Sequence, residues 1–260
     1  MQKKYGLSSY SLKMIAIVFM LIDHINTYLG QSLHLPLWVA WLGRFVAPLF
    51  VYLLIEGFFY TRNRWRYLRR LLLATGVMAI GNIVYNLISK SYINPYDQQI
   101  NYFNFLGPQN IFLTLTLIFA LLMLFENFKE AKLIGRLLGL LGILVMAFLL
   151  LFSEGGIYLL PITLIMYTAR KAKLPQINYI GITLFTLALL FLAVQSHTGD
   201  QSLYAYLTFD NEFMMITVLP FIYLYNHQRG GTGRPFEKYF FYFFYPIHLW
   251  ILYALHLILN

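Results

Sequence analysis

Apolar runs long enough to cross a bilayer recur from one end of this chain to the other, and no other feature restricts its fold as tightly. They lie at roughly 11–30, 37–59, 68–89, 110–126, 133–152, 156–170, 177–195, 211–226 and 239–259. In hydrocarbon every backbone N–H and C=O must be satisfied within the protein, so runs of this length are read as helices. Composition excludes a soluble domain. Of the 260 residues 60% are hydrophobic and 11% charged, where soluble domains carry about 25% charged residues. The expectation is an all-α, polytopic membrane helical bundle of about nine transmembrane helices, forming a single domain over 1–260. The sixth run is short and interrupted by Pro161. The fifth and sixth are expected to meet in a tight hairpin around Ser153-Glu154-Gly155-Gly156.

The net charge is +9, and its distribution explains it without nucleic acid. With the N-terminus in the cytoplasm, the inner segments hold Lys3, Lys4, Lys13, Arg62, Arg64, Arg66, Arg69, Arg70, Lys129, Lys132, Arg136, Arg170, Lys171, Lys173, Arg229, Arg234 and Lys238. That is 17 of the 19 basic residues. Only Lys90 falls outside, and Arg44 lies within a span. The bias predicts a cytoplasmic N-terminus and an outer C-terminus. The first run has no small-x-small cleavage pattern after it and is read as a retained span. The chain lacks cysteine, which excludes disulfides, thiolate metal sites and a cysteine thioester intermediate. Its histidines lack metal-ligand spacing, so no metal is expected.

The runs contain costly groups. Ionisable residues inside spans usually face the protein interior and mark function. His24 and Arg44 fall roughly 9–10 Å below the outer surface, counting 1.5 Å per residue, and their spans are joined by a short loop. Asp23, His24 and Arg44 can therefore meet at one level. Asp23 and His24 point about 100° apart on their helix, so one is placed to pair with Arg44 while the other faces elsewhere. An Asp23–Arg44 ion pair alone would leave His24 unexplained. Asn82 lies in the outer half of the third span. Asn110 opens the fourth and is also placed to cap it. In "YFFYFFYPIHLW", Tyr245 and His248 flank Pro246, which frees a backbone carbonyl that His248 could satisfy. Two long outer segments, 90–109 and 196–210, carry Tyr92, Tyr96, Asp97, Tyr102, His197 and Asp200.

Glu56 sits near the inner end of the second span, and five arginines follow in "LLIEGFFYTRNRWRYLRR". An interfacial Glu–Arg network accounts for them. So does an anion site, because Arg66 and Arg69 share a helical face and guanidinium groups match phosphate. Two classes fit this polarity at both ends: a transporter using His24 as a proton relay, and a transmembrane transferase fed by a cytoplasmic donor.

"LKMIAIVFMLIDHI", "LGRFVAPLFVYLLIEGFFYTRNRWRYLRRLL", "NIFLTLTL" and "KYFFYFFYPIHLWIL" occur in an order that resembles the TraX family. The likeness runs from Leu12 to Leu252, with little motif between about 130 and 235. It implies an integral-membrane acetyltransferase domain, similar to the multispanning acyltransferases that modify surface sugars. The donor would be acetyl-CoA from the cytoplasm. The acceptor would be a cell-surface glycan, a lipid-linked sugar or a peptide amine on the far side, in the cytoplasmic membrane of a bacterium. Under this resemblance His24 matches an essential intramembrane histidine, and Arg44 and Glu56 match Gly-Arg and Glu-Gly positions. Arg66 and Arg69, with Arg62 and Arg70, fall where CoA phosphates are bound. His24 would be the general base, Asp23 would hold Arg44 or orient His24, and Arg44, with Asn110, would stabilise the oxyanion or position the acceptor. Direct transfer and an acetyl-histidine intermediate both remain open. A water-filled cleft would have to admit the CoA arm. The alternatives are a proton-coupled transporter and a non-enzymatic membrane factor for surface or pilus assembly.

Overall fold

The computed structural model describes residues 6–93, 98–100, 109–128 and 132–259. Tyr96, Asp97 and Tyr102, and the basic residues Lys3, Lys4 and Lys129, lie outside them. Among the described residues the protein is all helix, apart from two isolated bridges, Leu7 to Tyr225 and Ile93 to Ile100. The helices are α1 Ser9–Leu29, α2 Val46–Tyr60, α3 Arg64–Ser89, α4 Ile111–Phe128, α5 Leu133–Leu151, α6 Gly156–Ala172, α7 Gln176–Ser196, α8 Leu203–Phe209, α9 Leu219–Leu224 and α10 Pro235–Leu259. Tight 3₁₀ turns at Leu37–Trp41 and Glu212–Val218 precede α2 and α9.

Seven segments among the described residues are long and apolar enough to cross a membrane, and eight if α8 and the bent Glu212–Leu224 stretch form one broken span. The protein is a multi-pass membrane protein. The sixth expected span, α6, is not among them: it has 17 residues, or about 25 Å, against a hydrocarbon core of about 30 Å. Pro161 inside it cannot donate to the carbonyl one turn back. The connection into α6 is the expected tight turn. Gly155 adopts φ +64°, and a Cβ on Gly156 would lie 1.8 Å from the Leu150 carbonyl oxygen, so only glycine fits.

Two expected spans are not continuous α-helices. The second begins as a 3₁₀ turn and becomes α-helical only at Val46. Pro48 has no N–H to give the carbonyl of Arg44, which removes one bond that would extend the helix back through Arg44. The eighth, expected at 211–226, is bent by 68° from α8. At that corner the Asn211 amide donates to the Thr208 carbonyl at 2.8 Å and to that of Ala40 at 3.3 Å. The segment 196–210, expected as a long loop, contains α8, capped by Ser202 through the Ala205 N–H.

The chain forms two compact units. The first comprises residues up to Leu53 and from Leu164 onward; the second runs Leu54–Thr163. In the first, α1 packs along α10, and α7 packs on the Glu212–Val218 turn. Leu7, two residues before α1, is tied to the end of α9: its N–H donates to the Leu224 carbonyl, and Asn226 N–H donates to the Leu7 carbonyl. In the second, α4 packs between α3 and α5. Thr75 and Thr116 hydroxyls meet at 2.9 Å, and Gly139 and Gly142 let α5 close on Phe128 and Leu124. The outward face of α5, including Leu133, Leu137, Leu141 and Leu144, is exposed, as befits a surface solvated by lipid chains.

Candidate functional site

The first unit gathers the intramembrane polar residues. Adjacent positions on α1 diverge by about 100°, so Asp23 and His24 reach different neighbours. Asp23 accepts from Arg44: the Nη2 group lies 2.9 Å from both carboxylate oxygens. Arg44 stands in the break between the 3₁₀ turn and α2, where its side chain can turn back to α1. Gly43 makes the approach possible. A Cβ there would lie 2.3–2.5 Å from the Asp23 side chain. The Gly-Arg-x-x-x-Pro motif is thus a local device: glycine admits the carboxylate, and proline withholds a bond that would draw the arginine into the helix.

Arg44 also faces Glu212, with Nη1 3.4 Å from Oε1. Two carboxylates around one guanidinium leave a negative charge uncompensated when all three are ionised. Glu212 was not singled out from the sequence. The available signal was an acid at the start of an apolar run. The preceding helix, α8, is tied to the Leu37–Trp41 turn by the Trp41 indole N–H, which donates to the Leu207 carbonyl at 3.0 Å.

His24 turns the other way, to α10. Its Nδ1 lies 2.7 Å from Nε2 of His248, and the rings stack at 4.9 Å. The other nitrogen of His248, Nδ1, lies 2.7 Å from the Phe244 carbonyl oxygen. A carbonyl only accepts, so His248 Nδ1 carries the proton, and Nε2 of the neutral ring offers a lone pair. His24 must then donate from Nδ1, which leaves its own lone pair on Nε2. That atom makes no hydrogen bond among the described residues, and the His24 side chain is only half-buried. Tyr245, buried, presents its ring edge-on to both imidazoles. About two turns further along α10, His256 donates to the Tyr28 carbonyl at 2.9 Å, so the seam is pinned twice.

The carbonyl that His248 satisfies is that of Phe244. The group deprived of its N–H by Pro246 is one turn before the proline, at Tyr242, so the expectation that His248 serves the proline's orphan is corrected.

The other anticipated residues belong to the second unit. Asn110 caps α4: its Oδ1 accepts the Leu113 N–H at 3.2 Å, and its Nδ2 donates to the Thr75 carbonyl at 3.1 Å. Asn82 is 2% exposed and donates to the Gln109 carbonyl. Glu56 is 3% exposed on α2. Asn63 caps α3 through the Arg66 N–H. Arg64 lies over the Phe58 ring at 4.1 Å and Arg70 over that of Tyr67 at 5.1 Å. Arg62, Arg66 and Arg69 are exposed. No cluster of three potential metal ligands occurs among the described residues.

The model of the family described as "TraX protein" matches residues 8–256. The chain belongs to the TraX family. This TraX-family chain is also similar to a Dichelobacter nodosus protein described as "probable fimbrial assembly protein FimC, serogroup H1", at 30% identity over 259 residues and 97% of each chain. No solved structure matches it.

Proposed function

We propose that this TraX-family protein is a membrane factor in fimbrial or pilus-type surface assembly, and that it contributes by acetyl transfer. The assembly role is supported by the fimbrial assembly description of its relative. The chemistry is supported by one observation above the rest: a half-buried intramembrane imidazole held by a partner so that its lone pair is on the nitrogen with no hydrogen bond among the described residues. A merely structural histidine would use both nitrogens, as His248 does.

The proposed reaction is direct transfer from acetyl-CoA. His24 Nε2 takes the proton of an acceptor hydroxyl or amine, whose oxygen or nitrogen attacks the thioester carbonyl. The C–S bond then breaks, and the CoA thiolate leaves with the proton returned by His24. Arg44 holds the acceptor side through the charge it shares with Asp23 and Glu212. The charge bias supports a cytoplasmic N-terminus, and the setting is the cytoplasmic membrane of a bacterium.

The test is transfer of labelled acetyl from acetyl-CoA to membrane-associated acceptors by the reconstituted protein, alongside surface-fibre assembly in cells. His24→Gln should lower transfer by about 10²–10⁴-fold and impair assembly, with thermal unfolding unchanged. Assembly that survives His24→Gln would favour a non-enzymatic scaffold. Proton-coupled flux without acetyl transfer would favour a transporter.

A further inference from the structure

The arginines at the start of α3 are not equivalent. With Trp65 set at 0°, Arg69 falls at about 40° and Arg66 at about 100° around the helix axis. The exposed Leu73, Ile80 and Leu87 fall at about 80°, 60° and 40° on the same arc. The buried Leu71, Met78 and Asn82 occupy the opposite arc, at about 240°, 220° and 260°. Arg64 falls there too, at about 260°, consistent with its place over Phe58. Arg66 and Arg69 therefore continue the face that α3 turns to lipid.

Their height matches. Leu72 is the first exposed aliphatic residue on that face. Arg69 stands about 5 Å before it along the axis and Arg66 about 9 Å, the depth of the headgroup layer. Trp65 and Tyr60 are exposed nearby, at 66% and 62%, and Trp and Tyr favour that layer. Neither Arg66 nor Arg69 has an ion pair or ring partner among the described residues. Three residues apart on a helix, two guanidinium groups can grip one phosphate.

We infer that Trp65, Arg66 and Arg69 form a binding site for the phosphate of an anionic phospholipid headgroup. The site holds this end of α3 at the interface and is independent of the acetyl-transfer reading. It also separates these two arginines from any soluble donor.

The full chain in mixed micelles is titrated with phosphatidylglycerol or phosphatidylcholine, and bound lipid is counted by native mass spectrometry. Phosphatidylglycerol should be retained selectively. The double variant Arg66→Gln/Arg69→Gln should weaken its retention by roughly 30-fold, the scale for two basic side chains at an anionic surface. Arg64→Gln should change nothing, and soluble adenosine 3′,5′-bisphosphate should not displace the lipid. Equal retention by the double variant, or displacement by the bisphosphate, overturns the site. Should the double variant unfold early, a salt titration of the unaltered protein decides. Phosphatidylglycerol should dissociate as ionic strength rises, and salt-insensitive retention overturns the proposal.

Discussion

The histidine–arginine cluster of the first unit and the arginine row of α3 use charge in opposite ways. Around α1, Asp23, Arg44, Glu212 and His248 each have an assigned partner, and the atoms left without one among the described residues are Nε2 of His24 and Nε of Arg44. On α3, Arg66 and Arg69 are exposed and have no ionic or ring partner among the described residues. The cost of burial explains the difference. An ionised group in hydrocarbon must be paired, whereas a guanidinium at the headgroup layer can be left to water and phosphate. An unengaged nitrogen therefore carries more functional weight in the first region than several free guanidinium groups in the second.

The comparison is tested most severely at His248. His248→Phe removes the acceptor for His24 Nδ1–H and frees the ring to change tautomer. Transfer should fall by about 10–100-fold, less than the loss of the base itself, and the pH–rate profile should move while KM for the donor does not. An unchanged profile would make His248 a packing residue. Next comes the charge trio. Arg44→Met strands two carboxylates and should cost about 2–4 kcal/mol, below the range for fully buried pairs because all three side chains are partly accessible. Asp23→Asn leaves Arg44 with Glu212 and should cost less. Thermal unfolding in detergent gives the order, and a reversed order would break the assignment of Arg44 as the shared partner.

The smallest effect concerns an exposed charge that does have partners. Glu237 accepts from the Thr232 hydroxyl and N–H and from the Gly233 N–H. The Thr232 hydroxyl bond first, and the backbone bonds after it, hold its carboxyl below the ordinary 4.5. A depressed carboxyl stabilises the folded loop above its unfolded value and loses that contribution as pH falls through the folded one. Amide exchange at Thr232 and Gly233 should therefore be slow at neutral pH and speed up, relative to its intrinsic rate, below about pH 4.5. Glu237→Gln should abolish this dependence. A dependence that persists in Glu237→Gln would assign the loop's order to other groups.

The legible parts of the site were those governed by depth and local chemistry. Counting residues from the ends of two apolar runs brought Asp23 and Arg44 to one level, and they form an ion pair. Asn110 at the mouth of an apolar run reads as a cap, and it caps. Glu212 was harder to see, because an acid opening a run looks like an interfacial residue until the bend at Asn211 carries it to Arg44. The two faces of α3 were hidden for another reason. Arg66 and Arg69 do share a side, but the side exposed to lipid is known only once Met78 and Asn82 are buried.

Sequence alone settled that this is a multi-pass helical membrane protein with an acid, an imidazole and a guanidinium at membrane depth. Hydrophobic runs and their lengths are local properties, and bilayer thickness converts them directly into helices. Tertiary structure alone decided which group each of those side chains meets. The partner of His24 lies 224 residues away along the chain, and the proton on His24 is located by a carbonyl of α10. The opening for the Asp23 carboxylate exists because the backbone passes close at Gly43. Such choices depend on how helices rotate and pack against each other, and no local period encodes that rotation.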